Sequence, residues 1–139
     1  MTDYTIRNAT FEDCAPVIAL WEAARLTRPW NDPAADFGLA LNNATSVILL
    51  AHRGDILTGS VMAGFDGHRG WIYYLACAPD HRNKGIGRAL MQAAESWLKR
   101  SGCSRVRLMV RHDNEVARGF YQAIGYSDQE VVTLGRTLD

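Results

Sequence analysis

The stretch Ala78–Arg100, APDHRNKGIGRALMQAAESWLKR, decides the fold of this chain. From Ile86 onward its apolar residues recur at the spacing of an amphipathic helix, and Gly102 ends that pattern. Gly85 and Gly87 stand at the helix start, although each glycine disfavours a helix by about 1 kcal/mol relative to alanine. A backbone without side chains at this point favours close approach by a ligand, because the free N–H groups of a helix N-terminus attract anions.

Cationic side chains surround the same turn, at Arg82, Lys84 and Arg88. The dinucleotide-binding fingerprint is excluded, because Leu90 stands where that motif needs a third small residue. A P-loop is excluded as well, since no Lys-Ser or Lys-Thr pair follows Gly87. The alternative to an anion site is a strand-to-helix turn whose glycines only permit tight packing.

Composition limits the classes of protein to which the chain can belong. Its 139 residues, 47% of them apolar, are enough for one domain, 1–139, with a single core. Fifteen basic residues balance fifteen acidic ones, so no overall field attracts nucleic acid or a membrane. No apolar run reaches the roughly 18 residues of a membrane span, and the N-terminus does not resemble a signal peptide. We expect a cytoplasmic protein.

The three cysteines, Cys14, Cys77 and Cys103, are odd in number and far apart, which argues against a disulfide framework. We expect all three to be reduced and buried. The four histidines are scattered as well, and no metal-ligand spacing is present, so we expect no metal site.

Local signals place the other elements. Asp32 and Pro33 are typical of an N-cap followed by proline at the first helical position. In chain order we expect a strand near Tyr4–Asn8, a helix from about Asp13 opened by a capping box of Thr10 and Asp13, and a helix from Pro33 to about Asn43. Next come three antiparallel strands at Ser46–His52, Ile56–Phe65 and Trp71–Cys77, the helix after Gly85, and a strand at Arg105–Arg111. A helix capped by Asn114 and ended by Gly125, and a final strand or strand pair at Tyr126–Leu138, complete the chain.

Two motifs resemble those of one family. A strand, Pro79, and then Arg82-x-x-Gly85-x-Gly87 opening a helix is similar to the signature of the GNAT superfamily of N-acetyltransferases. The segment 113–126, DNEVARGFYQAIGY, resembles the other hallmark of that family, and the order of elements fits over the whole chain. The matching positions of this second motif are Asn114, Ala117, Tyr121 and Gly125. RPWNDP, FDGHRG and WIYYL further resemble the small bacterial YpeA-type subgroup.

The resemblance implies an α/β fold: a mixed, mostly antiparallel sheet of about six or seven strands, splayed between the fourth and fifth, with about four flanking helices. It also implies acetyl-CoA as co-substrate, with the pantetheine arm on the splayed strand and the pyrophosphate on the N–H groups between Asn83 and Arg88. The implied cofactor-binding residues are Leu75, Ala76, Cys77, Arg82, Asn83, Lys84, Gly85, Ile86, Gly87, Arg88 and Asn114.

Tyr121 is the residue that the resemblance implies as general acid, protonating the thiolate that leaves when an amine attacks the thioester. A phenol has a pKa of about 10 and a thiol about 8.5, so positioning of the hydroxyl matters more than its acidity. Tyr121 is otherwise an ordinary helix-face aromatic residue, and Asn114 is otherwise only an N-cap.

The general base stays unassigned. Trp71 and Met109 occupy the positions where some family members carry a glutamate. Tyr73, Tyr74, Asp66 or a chain of water molecules are the alternatives. Glu22, Asp32 and Asp36 are candidates for attracting a cationic acceptor, and RPWNDP lies where the family's acceptor pocket has one wall. The candidate substrate residues are therefore Trp30, Asp32, Asp66, Tyr73 and Tyr74, although each acid is equally typical of a solvated surface.

Two further hypotheses remain beside the enzyme. A catalytically idle acyl-CoA-binding sensor is consistent with the missing glutamates, whereas a thiol hydrolase is disfavoured because Cys77 lies in an apolar strand. We expect an amine acceptor, either a small molecule or a protein amine, and neither nucleic acid nor a membrane as partner. A homodimer is left open.

Overall fold

A five-stranded mixed sheet organises the first part of the chain. The structure is a computed structural model that describes residues 4–138. It divides into two compact units, the first ending at Met109 and the second beginning at Val110, and we describe each by itself. The single domain 1–139 expected from the sequence stays a prediction.

The sheet has the strand order β1-β2-β3-β4-β5, with β1 to β4 antiparallel and β5 parallel to β4. The strands are β1 Thr5–Asn8, β2 Ser46–Arg53, β3 Ile56–Phe65, β4 Gly70–Cys77 and β5 Val106–Leu108. The hairpin and the three antiparallel strands expected from the sequence are confirmed. In contrast, β5 is shorter than the predicted strand Arg105–Arg111, and it pairs only with Gly70, Trp71 and Ile72 of β4.

Four α-helices occur in the described residues, and each begins close to the residue that the sequence predicts. They are α1 Cys14–Ala23, α2 Pro33–Asn42, α3 Ile86–Arg100 and α4 Glu115–Ala123. A short 3₁₀ turn that carries the predicted capping box of Thr10 and Asp13 precedes α1. The side chain of Asp32 accepts the N–H of Ala35 at the start of α2, over 3.1 Å. Local capping chemistry therefore sets these helix starts.

The sheet is covered on both faces. Trp21 of α1 bonds to Ser60 of β3, whereas the neighbouring Gly59 faces α3. Because successive residues of a strand point to opposite faces, α1 and α3 lie on opposite sides of the sheet. The core on the α1 side also includes α2, and its buried members are Ala9, Val17, Leu20, Trp21, Phe37, Ala40, Ile48, Leu50 and Ala76.

Gly59 marks the closest approach between α3 and the sheet. A Cβ at this position would lie 2.8 Å from Leu90 Cδ1 and 2.9 Å from Ile86 Cγ2 and from the carbonyl oxygen of Ala76. Real Cβ atoms are not found so close to other heavy atoms. The first turn of α3 therefore rests directly on the backbone of β3.

In the second unit, Asn114 caps α4 by accepting the N–H of Ala117 over 3.1 Å, and Gly125 ends the helix with φ of +102°, as the sequence predicts. The expected strand or strand pair at Tyr126–Leu138 was wrong, because no strand occurs in 126–138. Asp128 accepts the N–H of Glu130 over 2.7 Å, and Glu130 has φ of +56°. This local turn competes with an extended ladder, and the described sheet has five strands rather than six or seven.

Within the ranges of helix described above, no helix combines the length and the apolar character needed to cross a membrane.

Candidate functional site

Within the part of the chain that the structure describes, the edge of β4 that faces away from β3 has no strand partner after its third residue, Ile72. From Tyr73 to Cys77, no strand of residues 4–138 pairs with this edge. The N–H of Ala78 donates to the carbonyl of Thr58 over 2.8 Å, so it is directed towards β3. Because N–H groups alternate in direction along a strand, the N–H of Cys77 faces the open edge and that of Ala76 faces β3.

A β-bulge in β4 immediately precedes this open stretch. The register with β3 changes between Ser60 and Met62, so that Tyr74 and Leu75 together lie opposite Val61. Tyr74 has φ of +53°, a left-handed conformation that costs a non-glycine residue on the order of 1 to 3 kcal/mol. The bulge therefore bends β4 at the point where its edge becomes free.

Side chains from three elements contact the bulge residue. The indole N–H of Trp21 donates to Ser60 Oγ over 2.9 Å, and Ser60 Oγ donates to the carbonyl of Tyr74 over 2.9 Å. The Tyr74 ring stacks on Trp21, with ring centres 3.8 Å apart and planes 12° apart. The Tyr74 hydroxyl donates to Asp36 Oδ2 over 2.7 Å.

The loop before α3 presents a row of free backbone donors. Across 82–88, no backbone N–H has an acceptor among residues 4–138. Asn83 and Gly85 have φ of +62° and +83°, and alternating backbone handedness of this kind makes a concave anion site. The left-handed conformation is itself a reason for glycine at position 85, and open space surrounds a Cβ built there. The predicted cations Arg82, Lys84 and Arg88 are exposed around this loop.

A cleft of about 450 Å³ lies between α2 and the strands β3 and β4, and we call it the α2 cleft. Its acidic and aromatic lining consists of Asp36, Phe65, Asp66, Trp71, Tyr73 and Tyr74. Lysine, arginine and histidine are absent from the described residues that line it. The α2 cleft therefore has the electrostatic character of a site for a cation.

The two carboxylates of the α2 cleft differ in their hydrogen-bond partners. Asp66 Oδ1 accepts the N–H groups of Arg69 and His68, each over 2.8 Å, and Oδ2 accepts the Trp71 indole over 3.3 Å. These hydrogen bonds hold the pKa of Asp66 below its usual range. Asp66 thus shapes the β3–β4 turn, whereas the bond from Tyr74 occupies only one oxygen of Asp36.

Neither tyrosine of the α2 cleft has the character of a base. Burial raises the pKa of Tyr74, and the hydrogen bond to Asp36 raises it further. Burial and the charge of Asp66 also raise the pKa of Tyr73. Both phenols therefore keep their protons at neutral pH.

The other predicted acceptor residues lie outside the lining of the α2 cleft. Trp30 is 71% exposed, so it is not a core residue. Asp32 is the N-cap of α2. Glu22 is an exposed residue of α1, and Met109 is 53% exposed just after β5.

In the second unit, the Tyr121 ring makes edge contacts with Phe120 and Tyr126, with ring centres 5.1 Å and 5.9 Å apart. Burial raises the pKa of Tyr121 to about 12. A phenol with this pKa is a persistent hydrogen-bond donor and a weak acid.

The cysteines are free, but only Cys103 is buried. Cys14 and Cys77 are half-buried, so the expectation of three buried thiols was wrong for these two. Cys77 lies at the end of a strand whose edge is open, and this explains its exposure. Burial still raises the pKa of the Cys77 thiol, which disfavours a thiolate nucleophile. Among residues 4–138, no group of three or more histidine, cysteine or acidic side chains is arranged to hold a metal ion.

An open strand edge followed by free N–H groups at a helix start is the arrangement that the sequence resemblance implies. A family model described as the acetyltransferase (GNAT) family matches residues 10–126. The chain belongs to the GNAT family.

Bacterial relatives support the assignment of this chain to the GNAT family. An acetyltransferase of Pectobacterium atrosepticum is 43% identical over 133 residues, which cover 96% of this chain and 94% of the relative. An acetyltransferase of Yersinia pseudotuberculosis is 42% identical over the same shares. The interpretation as an acyltransferase of bacterial type is confirmed.

Solved structures confirm the GNAT fold class. The aminoglycoside acetyltransferase AAC(6')-Iy, in complex with a bisubstrate analogue of CoA and acetylneamine, superposes with a TM-score of 0.84 at 17% identity, over 98% of this chain and 99% of that one. A predicted acetyltransferase of Clostridium acetobutylicum with acetyl-CoA gives a TM-score of 0.79 at 17% identity, over 95% and 96% of the two chains.

Sequence reasoning on this GNAT protein missed Trp21 and Ser60 as residues that contact Tyr74 in the bulge of β4. Trp21 matches the apolar face of α1, so its pattern indicates only a core residue. Ser60 offers a signal, because a hydroxyl within an apolar strand needs a hydrogen-bond partner when it is buried.

Proposed function

We propose that the chain is an acetyl-CoA-dependent N-acetyltransferase that moves an acetyl group to a primary amine by direct attack in a ternary complex. The observation that carries this proposal is the row of N–H groups without acceptors across 82–88, which directly follows the open edge of β4. The two solved neighbours are complexes with a bisubstrate analogue of CoA and with acetyl-CoA, which supports the same donor here.

The loop before α3 fits the pyrophosphate of acetyl-CoA. Two negatively charged phosphates satisfy free backbone donors and face the positive end of the α3 dipole. We assign this contact to the backbone of 83–88, with charge from three exposed side chains. The residues are Arg82, Asn83, Lys84, Gly85, Ile86, Gly87 and Arg88.

The open edge of β4 fits the amide groups of the pantetheine arm, because an extended ligand can pair with a free strand edge. We assign this contact to Leu75, Ala76 and Cys77. Cys77 is the main hydrogen-bond donor, because its N–H faces the open edge. This N–H would polarise the thioester carbonyl. The N–H of Ala76 is directed to β3, so Ala76 lies beside the pantetheine arm without donating a hydrogen bond to it. From the second unit, the family resemblance adds Asn114.

The α2 cleft fits the amine acceptor. An acceptor amine near pKa 10 arrives as an ammonium ion, which Asp36 attracts and which the faces of Trp71 and Tyr73 bind through cation–π contact. The absence of basic side chains from the described lining disfavours an acceptor that carries its own carboxylate. Asp66 and Tyr74, which line the cleft, and Trp30, which lies outside its lining, complete the proposed acceptor residues. Asp32 acts on this site only by starting α2.

The reaction joins the amine nitrogen to the acetyl carbon and breaks the bond to the CoA sulfur. The ammonium ion first loses a proton to water in the α2 cleft, because both tyrosines there have raised pKa values. By the family resemblance, Tyr121 of the second unit is assigned as hydrogen-bond donor and general acid to the leaving thiolate, and the second proton of the attacking nitrogen returns through water to the tyrosinate. The Tyr121 pKa of about 12 makes full transfer to a thiolate of pKa about 8.5 uphill by about 5 kcal/mol, so the hydrogen bond contributes more than the transfer.

A screen of amines tests the proposed function. Spermidine, a lysine peptide, sisomicin and free glycine are offered with acetyl-CoA, thiol release is followed, and products are identified by mass spectrometry. We expect acetylation of a cationic amine and no reaction with glycine. Saturable binding of acetyl-CoA without turnover across the panel would instead support the acyl-CoA sensor.

A further inference from the structure

We propose that Trp21 and Ser60 are positioning residues, which act through Tyr74 to fix the direction of the open β4 edge. The role rests on the proposed function, because that edge is where acetyl-CoA is assigned. We call Trp21, Ser60 and Tyr74 the bulge clamp.

Tyr74 needs restraint from outside its own strand. Its φ of +53° is a conformation that glycine or asparagine adopts far more readily than an aromatic residue. Residues in such conformations persist where the surrounding structure holds them, and they cluster at functional sites. The bulge therefore depends on the groups that contact Tyr74.

Ser60 provides the contact to the backbone of the bulge. The side chain is fully buried on the α1 side of β3, and its hydroxyl both accepts a bond from the Trp21 indole and donates one to the Tyr74 carbonyl. Accepting from Trp21 fixes the direction in which the hydroxyl donates. The indole therefore orients the bond that holds the Tyr74 carbonyl.

Trp21 provides a second contact, to the ring. The stacked rings lie at 3.8 Å, and Trp21 is itself fully buried and packed against Phe37. One side chain of α1 thus restrains the backbone of Tyr74 through Ser60 and the ring of Tyr74 directly. These two contacts therefore oppose changes of the φ and χ angles of Tyr74.

The effect on the site follows from the distance along the strand. Cys77 is three residues after Tyr74, and β3 supports the intervening stretch on one side only. A change at the bulge therefore redirects the Cys77 N–H, which is the donor proposed to polarise the thioester.

The chain offers a matched pair of variants. Ser60→Ala removes the hydroxyl of the clamp. Thr58→Val removes another fully buried hydroxyl of β3, which donates to the Ala51 carbonyl of β2 over 3.1 Å. Both variants lose one buried hydrogen bond to a backbone carbonyl, and Ser60→Ala also leaves the Trp21 indole N–H without its acceptor. The global loss of stability is therefore measured separately for each variant by urea titration, and the comparison rests on local exchange at Ala76.

Two measurements distinguish the role of Ser60 from that of Thr58. We expect Ser60→Ala to weaken acetyl-CoA binding in calorimetry and to speed hydrogen exchange of the Ala76 amide in the ligand-free protein, each by about tenfold, the size expected when the hydrogen bond to the Tyr74 carbonyl is lost. Thr58→Val changes both by less than about twofold. Equal effects of the two variants on Ala76 exchange would overturn the proposal.

The result of the exchange measurement does not depend on the proposed function. If the unmodified protein binds no acetyl-CoA, the proposed function fails, while Ala76 exchange still decides whether the clamp exists. If Ser60→Ala does not fold, Trp21→Phe replaces it, because this variant keeps an aromatic ring against Tyr74 and removes the indole donor together with part of the ring volume. Unchanged Ala76 exchange in a folded Trp21→Phe protein would likewise overturn the proposal.

Discussion

The Tyr74 hydroxyl lies 2.7 Å from Asp36 Oδ2, and this hydrogen bond joins the bulge of β4 to the second helix. Asp36 lines the α2 cleft at the same time. One carboxylate therefore contacts the strand proposed to hold the donor and the cleft proposed to hold the acceptor. Its charge and its capacity to accept a hydrogen bond can be changed separately.

Asp36→Asn keeps an oxygen for the Tyr74 hydroxyl and removes the negative charge. We expect the KM for a cationic acceptor to rise by about tenfold or more, because a hydrogen bond to a charged group is worth about 1.5 to 3 kcal/mol. The KM for acetyl-CoA should not change. Asp32→Asn is the control, since it makes the same change of charge at a helix N-cap outside the cleft lining, where asparagine caps equally well. Equal effects of both variants would argue for a general field and against a contact at Asp36.

Gly85→Asn tests why the loop before α3 carries a glycine. Asparagine tolerates the φ of +83°, and its Cβ meets open space, so we expect the variant to fold. If a pyrophosphate lies against this backbone, acetyl-CoA binding should weaken by about tenfold, and Gly85→Glu should abolish it by adding a negative charge. Gly54→Asn, at φ of +60° in the β2–β3 turn, is the control for the backbone cost alone. Calorimetry that finds unchanged affinity in folded Gly85→Asn would show that this glycine serves the turn and not the ligand.

Tyr121→Phe should lower the single-turnover rate on bound acetyl-CoA by about 10²- to 10⁴-fold, the usual contribution of a general acid. Affinity for acetyl-CoA should hardly change, because the ring keeps its contacts with Phe120 and Tyr126. Tyr126→Phe, which removes the hydroxyl from the adjacent ring, should keep the parent rate. Single-turnover conditions matter because product release often sets kcat. A parent-like rate for Tyr121→Phe would remove this residue from the mechanism.

The ion pair of Arg7 and Asp13 predicts a dependence of stability on pH. Asp13 accepts two bonds from Arg7, over 2.7 and 2.8 Å, and one from the Thr10 N–H. The bond from Arg7 is the main cause that holds the pKa of Asp13 well below its usual range. Because the folded pKa is lowered, the stabilisation is fully present above the unfolded pKa of about 4 and is lost as pH falls below it.

Asp13→Asn should therefore lower the free energy of unfolding by about 1 kcal/mol at neutral pH, since solvent screens this surface pair. The difference from the parent should shrink as the pH is lowered below about 4. Urea titrations of both proteins across that range provide the measurement. A difference that stays constant with pH would show that the carboxylate charge has no part in stability.

Local rules predicted much of the fold and part of the site. Asp32 and Asn114 were predicted as caps because an N-cap depends only on residues within one turn. The loop of Gly85 was predicted for a similar reason, since its glycine pattern and the helix that follows are adjacent in sequence.

The remainder of the site depends on contacts between distant residues. Tyr74 bonds to Asp36, 38 positions earlier, and no periodic pattern of α2 marks Asp36 as the partner of that tyrosine. The bulge at Tyr74 is also invisible to an alternating strand pattern, because a single extra residue shifts the register without changing the composition. The final strand was predicted wrongly because the valine pair 131–132 indicates a strand, whereas the turn at Asp128 and Glu130 depends on one local hydrogen bond.

Gly59 has a consequence for how this protein can change during evolution. Because α3 rests on the backbone of β3 there, any side chain would push Ile86, the first residue of that helix, away from the Ala76 carbonyl. The spacing between the loop before α3 and the open edge of β4 would then lengthen, while the acetyl-CoA proposed to span them has a fixed length. In a saturation library, we expect glycine alone to survive selection for activity at position 59. We expect the lining of the α2 cleft to tolerate substitution more readily, so that the proposed acceptor can change while the proposed site for the donor stays fixed.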